Sequence, residues 1–167
     1  MKKNLFFGAL AWLLILSGCG WSLDIQEYNN SFVSLVKDCT DSTQTLFQNF
    51  EAERSTIDTI KTSLQDCINI CQESQTKASK MWDYQWDSSL KDAVVKLLSL
   101  ETQYLEKFWS TSPYWNIDDI TDEDRVQYTA SVNELQQAEE LLNAQFLSLQ
   151  EVQEVFAANH KLKLETE

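Results

Sequence analysis

From Trp21 to its last residue the chain contains no glycine and a single proline, Pro113; its three glycines, Gly8, Gly18 and Gly20, all fall within the first 20 positions. This constrains the fold more than any other feature. Sandwiches and barrels reverse direction every few residues and rely on glycine for backbone angles that other residues resist. A chain with no glycine over this length is expected to be built from long helices joined by few turns.

Apolar periodicity agrees. One stripe runs Ile25, Tyr28, Phe32, Leu35, Cys39, Thr43, Leu46, Phe50, Arg54, Ile57, Ile60, Leu64, Cys67 and Cys71, with gaps alternating mostly between three and four. That is a narrow helical seam of the coiled-coil kind. Thr40–Thr45 is poor helix material, but the phase of the stripe carries through it, so a continuous first helix is expected. A second stripe runs Met81, Trp86, Leu90, Val94, Leu97, Glu101, Tyr104 and Phe108, with Asp87 as a capping residue and Pro113 ending it. Ser110 to Thr121 reads as a loop. Thr121 and Asp124 form a capping box for a third stripe of Val126, Thr129, Leu135, Leu142, Phe146, Leu149, Val152 and Phe156.

The expected fold is all-α, an antiparallel bundle of three long helices with coiled-coil-like packing. A first helix of about 55 residues outruns a second of about 28 at 1.5 Å per residue. Its first half is therefore expected either to fold back near residues 40–43, giving four helices, or to pair with another chain. The organisation reads as residues 1–18 a leader, 19–23 a tether, 24–160 the bundle and 161–167 a frayed tail.

At the N-terminus, Lys2 and Lys3 precede a nearly unbroken apolar run from Leu5 to Leu16. A span needs about 20 apolar residues, so this run of about 12 is too short to cross a bilayer. It fits the h-region of a signal peptide, followed by the small residues Ser17 and Gly18. Leu16-Ser17-Gly18-Cys19 resembles the lipobox of bacterial lipoproteins. The resemblance covers residues 1–19 and implies cleavage before Cys19, a diacylglycerol on its thiol and acylation, such as palmitate, of the new amino group. Two or three chains anchor a protein where one barely does. It also implies residence in the cell envelope, on the extracytoplasmic side of a membrane. Gly20, where enteric bacteria would use aspartate for inner-membrane retention, is compatible with outer-membrane sorting. Trp21 and Leu23 either dip into the headgroup zone or begin the first helix.

The formal net charge is −13, and −15 once Lys2 and Lys3 leave with the leader. So acidic a surface is repelled by nucleic acid and by anionic headgroups. Nucleic-acid binding is excluded, and membrane attachment is expected from the lipid.

Cys39, Cys67 and Cys71 lie on the first stripe. Cys67 and Cys71 are one turn apart, with diverging Cβ vectors that make a bond inside a regular helix difficult. Cys39 reaches neither unless the helix folds back. The favoured reading is packing as small apolar residues; a disulfide and a metal site are alternatives. Asp118, Asp119, Asp122, Glu123 and Asp124 read as acids placed at a helix N-terminus, rather than as a calcium loop. Trp82, Tyr84 and Trp86 cluster at one junction; Phe108, Trp109, Tyr114 and Trp115 cluster at the other end of the second helix. These rings either plug the ends of a bundle or serve an interaction surface. Trp82, Trp86, Trp109, Tyr114 and Trp115 are the candidate interaction residues.

No catalytic constellation is evident, His160 is the single histidine, and no cofactor or metal is expected. The ending Phe156-Ala157-Ala158-Asn159-His160-Lys161-Leu162-Lys163-Leu164-Glu165 is similar to the end of the cell-wall-binding lipoproteins of Gram-positive bacteria, which again implies envelope residence. The expected function is that of a lipid-anchored, non-enzymatic envelope protein whose bundle binds a partner protein or a cell-wall polymer, with homo-oligomerisation through the first helix left open. The alternative is a helical sensor or accessory subunit of an envelope complex, binding a small ligand or metal between helices.

Overall fold

In a computed structural model the described residues are 23–51, 56–115 and 121–161. The leader, Cys19 and Trp21 lie outside them, as do Arg54, Asp118, Asp119 and the tail from residue 162. Among the described residues there are four α-helices and no strand: α1 Leu23–Glu51, α2 Ile57–Ser79, α3 Ser89–Ser110 and α4 Asp122–Asn159. A 3-10 turn, Ser112–Tyr114, follows α3 with Pro113 in its first turn, where a missing N–H costs least. The protein is an all-α antiparallel bundle. No helix among the described residues is long and apolar enough to cross a membrane.

The first stripe thus forms two helices, but the chain does not reverse at Thr40–Thr43 as expected for a four-helix form. α1 runs through that segment and ends at Glu51. The threonines stay helical because their hydroxyls are used locally. Thr40 Oγ1 donates to the Val36 carbonyl and Thr43 Oγ1 lies 3.0 Å from the Cys39 carbonyl, both four residues back. A threonine bonded in this way can sit on a buried seam, and both do. Thr56 then starts α2, its hydroxyl accepting the Thr59 N–H.

The seams of α2 and α3 are regular heptads. Ile60, Leu64, Cys67, Cys71, Ser74 and Ala78 on α2, and Leu90, Val94, Leu97, Glu101, Tyr104 and Phe108 on α3, are all buried. Gaps alternating between four and three keep each seam facing its neighbour. α3 is the central element, packing on α2 and α4, while α1 packs mainly on α2.

α4 starts as expected, with the Thr121–Asp124 capping box and Asp122, Glu123 and Asp124 in the first turn. Its buried residues, however, begin only at Leu142 and continue through Gln145, Leu149, Gln153, Phe156 and Ala157. Val126 is 71 % exposed and Thr129 is exposed, so the first third of the expected stripe faces water. The physical reason is length. Lys107, near the end of α3, pairs with Glu134. α3 ends three residues later at Ser110, so residues 122–130 extend about 13 Å past it at 1.5 Å per residue. This segment meets the 3-10 turn through the Tyr114 and Tyr128 rings, 5.5 Å apart, and through the Tyr114 hydroxyl, which donates to Gln127.

Candidate functional site

Three places carry chemistry beyond packing. The first is a buried polar cluster in the middle of the bundle. Folding α2 back on α1 brings Cys39 and Cys71 together as a disulfide, with Cα atoms 4.7 Å apart. Core packing was the favoured reading of these cysteines. Cys67 follows it, as a buried free thiol; Cys39 and Cys71 do not, because a 32-residue return brings them face to face. The difficult Cys67–Cys71 pairing does not form. Glu101 of α3 reaches into the same layer at 1 % exposure. One of its carboxyl oxygens and the Cys39 and Cys71 sulfurs all lie within 4.8 Å of one another. Both sulfurs are committed to their mutual bond, so this trio offers no thiolates for a metal in this state.

Burial pushes the Glu101 carboxyl up to about 7, against the opposing effect of its bond with Thr43. Thr43 Oγ1 is 2.9 Å from Glu101 Oε1, 3.0 Å from the Cys39 carbonyl and 3.4 Å from Cys67 Sγ. One hydroxyl hydrogen cannot serve the carbonyl and a carboxylate together. The Thr43 hydroxyl therefore donates to Glu101 Oε1 or to the Cys39 carbonyl at any one time. Glu101 Oε2 remains without a partner. Burial, then repulsion from Glu101, also raises the Cys67 thiol, against bonds from Ser42 and Thr43. A raised thiol is a poor nucleophile. The sequence signal for this cluster was visible: a glutamate in a heptad position between Leu97 and Tyr104.

The second place is the end where α1 begins. Tyr28 packs against Phe32, Trp82, Tyr84 and Phe156, with ring centroids 4.9–5.9 Å apart. Tyr84 meets the His160 ring edge-on at 5.0 Å. His160 Nε2 lies 3.1 Å from Asp87 Oδ2, with both side chains mostly covered. Asp87 Oδ1 accepts the Ser89 N–H, but the N-cap of α3 is Ser88, not Asp87 as expected, and Ser88 makes no side-chain cap bond. A hydrogen bond with the Ser89 side chain, then the Ser89 N–H and the His160 contact, hold the Asp87 carboxyl below its usual range against the opposing effect of burial. Asp87 thus ties the end of α4 to the start of α3, a role for the single histidine that sequence spacing could not disclose.

Between Tyr84 and Asp87 the chain makes a tight turn, with the Asp87 N–H donating to the Tyr84 carbonyl at 2.8 Å. Its central residues, Gln85 and Trp86, have φ of 49° and 71°. Positive φ at both positions is the mark of a type I′ turn, which favours glycine and asparagine. Holding two side-chain-bearing residues there costs about 1–2 kcal/mol each. The turn places Trp86 in solvent, 98 % exposed, beside Trp82 at 60 %.

The third place is the opposite end. Phe47, Phe50, Phe108 and Trp115 stack at centroid separations of 5.0–5.5 Å, and the Trp115 indole N–H donates to Thr111. Trp115 plugs this end. Tyr114 is half-buried against α4, and Trp109 is only just exposed. Of the five candidate interaction residues, Trp86 and Trp82 are exposed, the latter against Tyr28 and Tyr84, Tyr114 and Trp115 are packed, and Trp109 borders a shallow cleft with Ile68 and Glu106. Apart from Ile70 on α2, the exposed large aliphatic side chains among the described residues lie on α4: Val126, Leu141, Leu147 and Val155. At 100° per residue they fall within about a third of the helix circumference, on the side away from the buried seam.

No family model, curated protein or solved structure matches this chain.

Proposed function

We propose that this is a lipid-anchored, non-enzymatic protein of the bacterial cell envelope, whose helical bundle binds a partner protein or a cell-wall polymer. The lipobox-like Leu16-Ser17-Gly18-Cys19 supports the anchor. The Cys39–Cys71 bond supports export, because such bonds persist in oxidising compartments and are rare in the cytosol. The observation that carries the binding reading is the α4 overhang. Among the described residues, none in the first turns of α4 is buried, and Val126 stands 71 % exposed. At its root a groove of about 390 Å³ opens between α3 and α4, lined by Leu100, Lys107, Glu134 and Leu141 among others.

The alternative reading, a sensor with a ligand or metal between helices, would place its chemistry at Glu101. There the two nearby sulfurs are already bonded to each other, so the overhang is the better-supported site.

The anchor is tested by replacing Cys19 with Ala and following membrane partition and palmitate labelling; a variant that labels and partitions like the parent overturns it. Binding is tested with tagged full-length protein in detergent-solubilised envelopes and, in parallel, with purified peptidoglycan. The parent is expected to retain a partner or polymer that Val126→Asp with Leu141→Asp releases. Identical recovery by both forms counts against the overhang.

A further inference from the structure

The aromatic turn lies at the end of the molecule from which the proposed anchor leaves. Tyr28, early in α1, touches Trp82 and Tyr84, so α1 starts beside the α2–α3 turn. Cys19 is four residues before Leu23, the first residue of α1. A fully extended chain spans at most about 3.6 Å per residue, so that tether reaches no more than about 14 Å. An acylated Cys19 would hold this end of the bundle against the bilayer surface, whatever the tether's path.

Charge orients the molecule the same way. Of the acids at this end, Asp83 pairs with Lys91, Asp87 meets His160 and the Ser89 N–H, and Asp92 meets Ser88, while Glu27 stands exposed. Lys80 and Lys161 stand exposed at this end. The far end carries Asp122, Glu123 and Asp124 in the first turn of α4, which lipid phosphates would repel.

We propose that the Trp82–Trp86 turn is a membrane-interface foot, with Trp86, supported by Trp82, seated among the headgroups of the bilayer that holds the acylated N-terminus. This rests on the lipid-anchored reading. Indole is the side chain best suited to that zone, with an apolar body and one N–H for phosphate or water. The turn seats Tyr84 in the core and Asp87 against His160, and its left-handed backbone at Gln85 and Trp86 leaves the Trp86 indole in solvent. With Trp82 and Trp86 turned to the lipid, the α4 overhang, at the other end, is left for the partner.

The test uses the full-length, acylated chain in phosphatidylcholine vesicles carrying shallowly brominated acyl chains, which quench nearby indoles. Trp21, two residues from Cys19, is replaced by Phe so that Trp82 and Trp86 dominate the signal. Trp86→Gly suits a φ of 71° and leaves the fold intact, which a thermal melt verifies. With two interfacial indoles reduced to one, this variant is expected to lose about half of the lipid-dependent quenching. Equal quenching with and without Trp86 overturns the foot. So does Trp86 emission that shifts with added peptidoglycan but not with vesicles, which would assign the turn to the wall polymer. Palmitate labelling of the same preparation separates the two readings. Without labelling the anchor fails and the foot with it; with labelling and no Trp86 effect, only the foot fails.

Discussion

The body of the bundle and the overhang of α4 are made of the same kind of helix, yet they are held in different ways. In the body, four helices share heptad seams, a disulfide and rings at both ends. The overhang has a capping box, acids at its N-terminus and one tyrosine contact. Both segments are helical, so helicity here does not report stability. Local signals suffice to start α4, while packing alone makes the rest of it durable. The overhang is thus the segment with least to lose on moving and most surface to offer a partner.

The sharpest test of that contrast pairs two truncations. Phe156→Ala, in the body, is expected to cost about 3–5 kcal/mol, since it empties a site lined by Tyr28, Tyr84 and His160. Val126→Ala, in the overhang, should fall within about 0.5 kcal/mol of the parent. Urea unfolding measures both, and comparable losses would erase the distinction. Native-state hydrogen exchange adds a residue-level check, with residues 126–133 exchanging faster than 142–157.

Next in size is the covalent tie. Replacing Cys39 and Cys71 with Ser removes a closure 32 residues apart in sequence, worth about 3–4 kcal/mol on the chain-entropy account. The overhang, which the bond does not touch, should keep its exchange rates. A uniform change in exchange along α4 would show that overhang and body unfold together.

Not everything buried in the body stabilises it. Glu101 titrates at about 7 when folded, against an ordinary 4.5. Between these values the folded chain holds a proton that the unfolded chain has released. Stability is therefore expected to fall as pH rises from about 4.5 to 7 and to stay lowered above that. Ionising Glu101 costs about 3 kcal/mol at 1.36 kcal/mol per unit, as an order of magnitude. Glu101→Gln keeps an acceptor for Thr43 and cannot ionise. It should flatten this slope and unfold at higher urea than the parent at pH 8.

The smallest effect concerns the turn. Gln85→Gly retains Trp86 and removes one unfavourable left-handed residue. It should stabilise by about 1 kcal/mol, read as a raised melting temperature, with no change at the overhang.

The sequence by itself determined the helices. A glycine-free chain has few ways to turn, and seams such as Ile60-Leu64-Cys67-Cys71 or Leu90-Val94-Leu97 repeat with the period of one helix face. The start of α4 was legible in Thr121 with Asp124, because a capping box is made within three residues; that of α3 falls at Ser88, one residue after the expected Asp87. What lay beyond was decided by partners distant in sequence. The phase of the first stripe could not show that the chain reverses between Glu51 and Ile57, since a stripe keeps its phase on both sides of a turn. The Cys39–Cys71 bond, the Asp87–His160 link and the burial of Glu101 all depend on that reversal and on α3 packing over it. Val126 and Leu142 looked alike as members of one stripe. Only the relative lengths of α3 and α4 decided that one would meet water and the other the core, because apolar periodicity records a face and the neighbour that covers it comes from elsewhere in the chain.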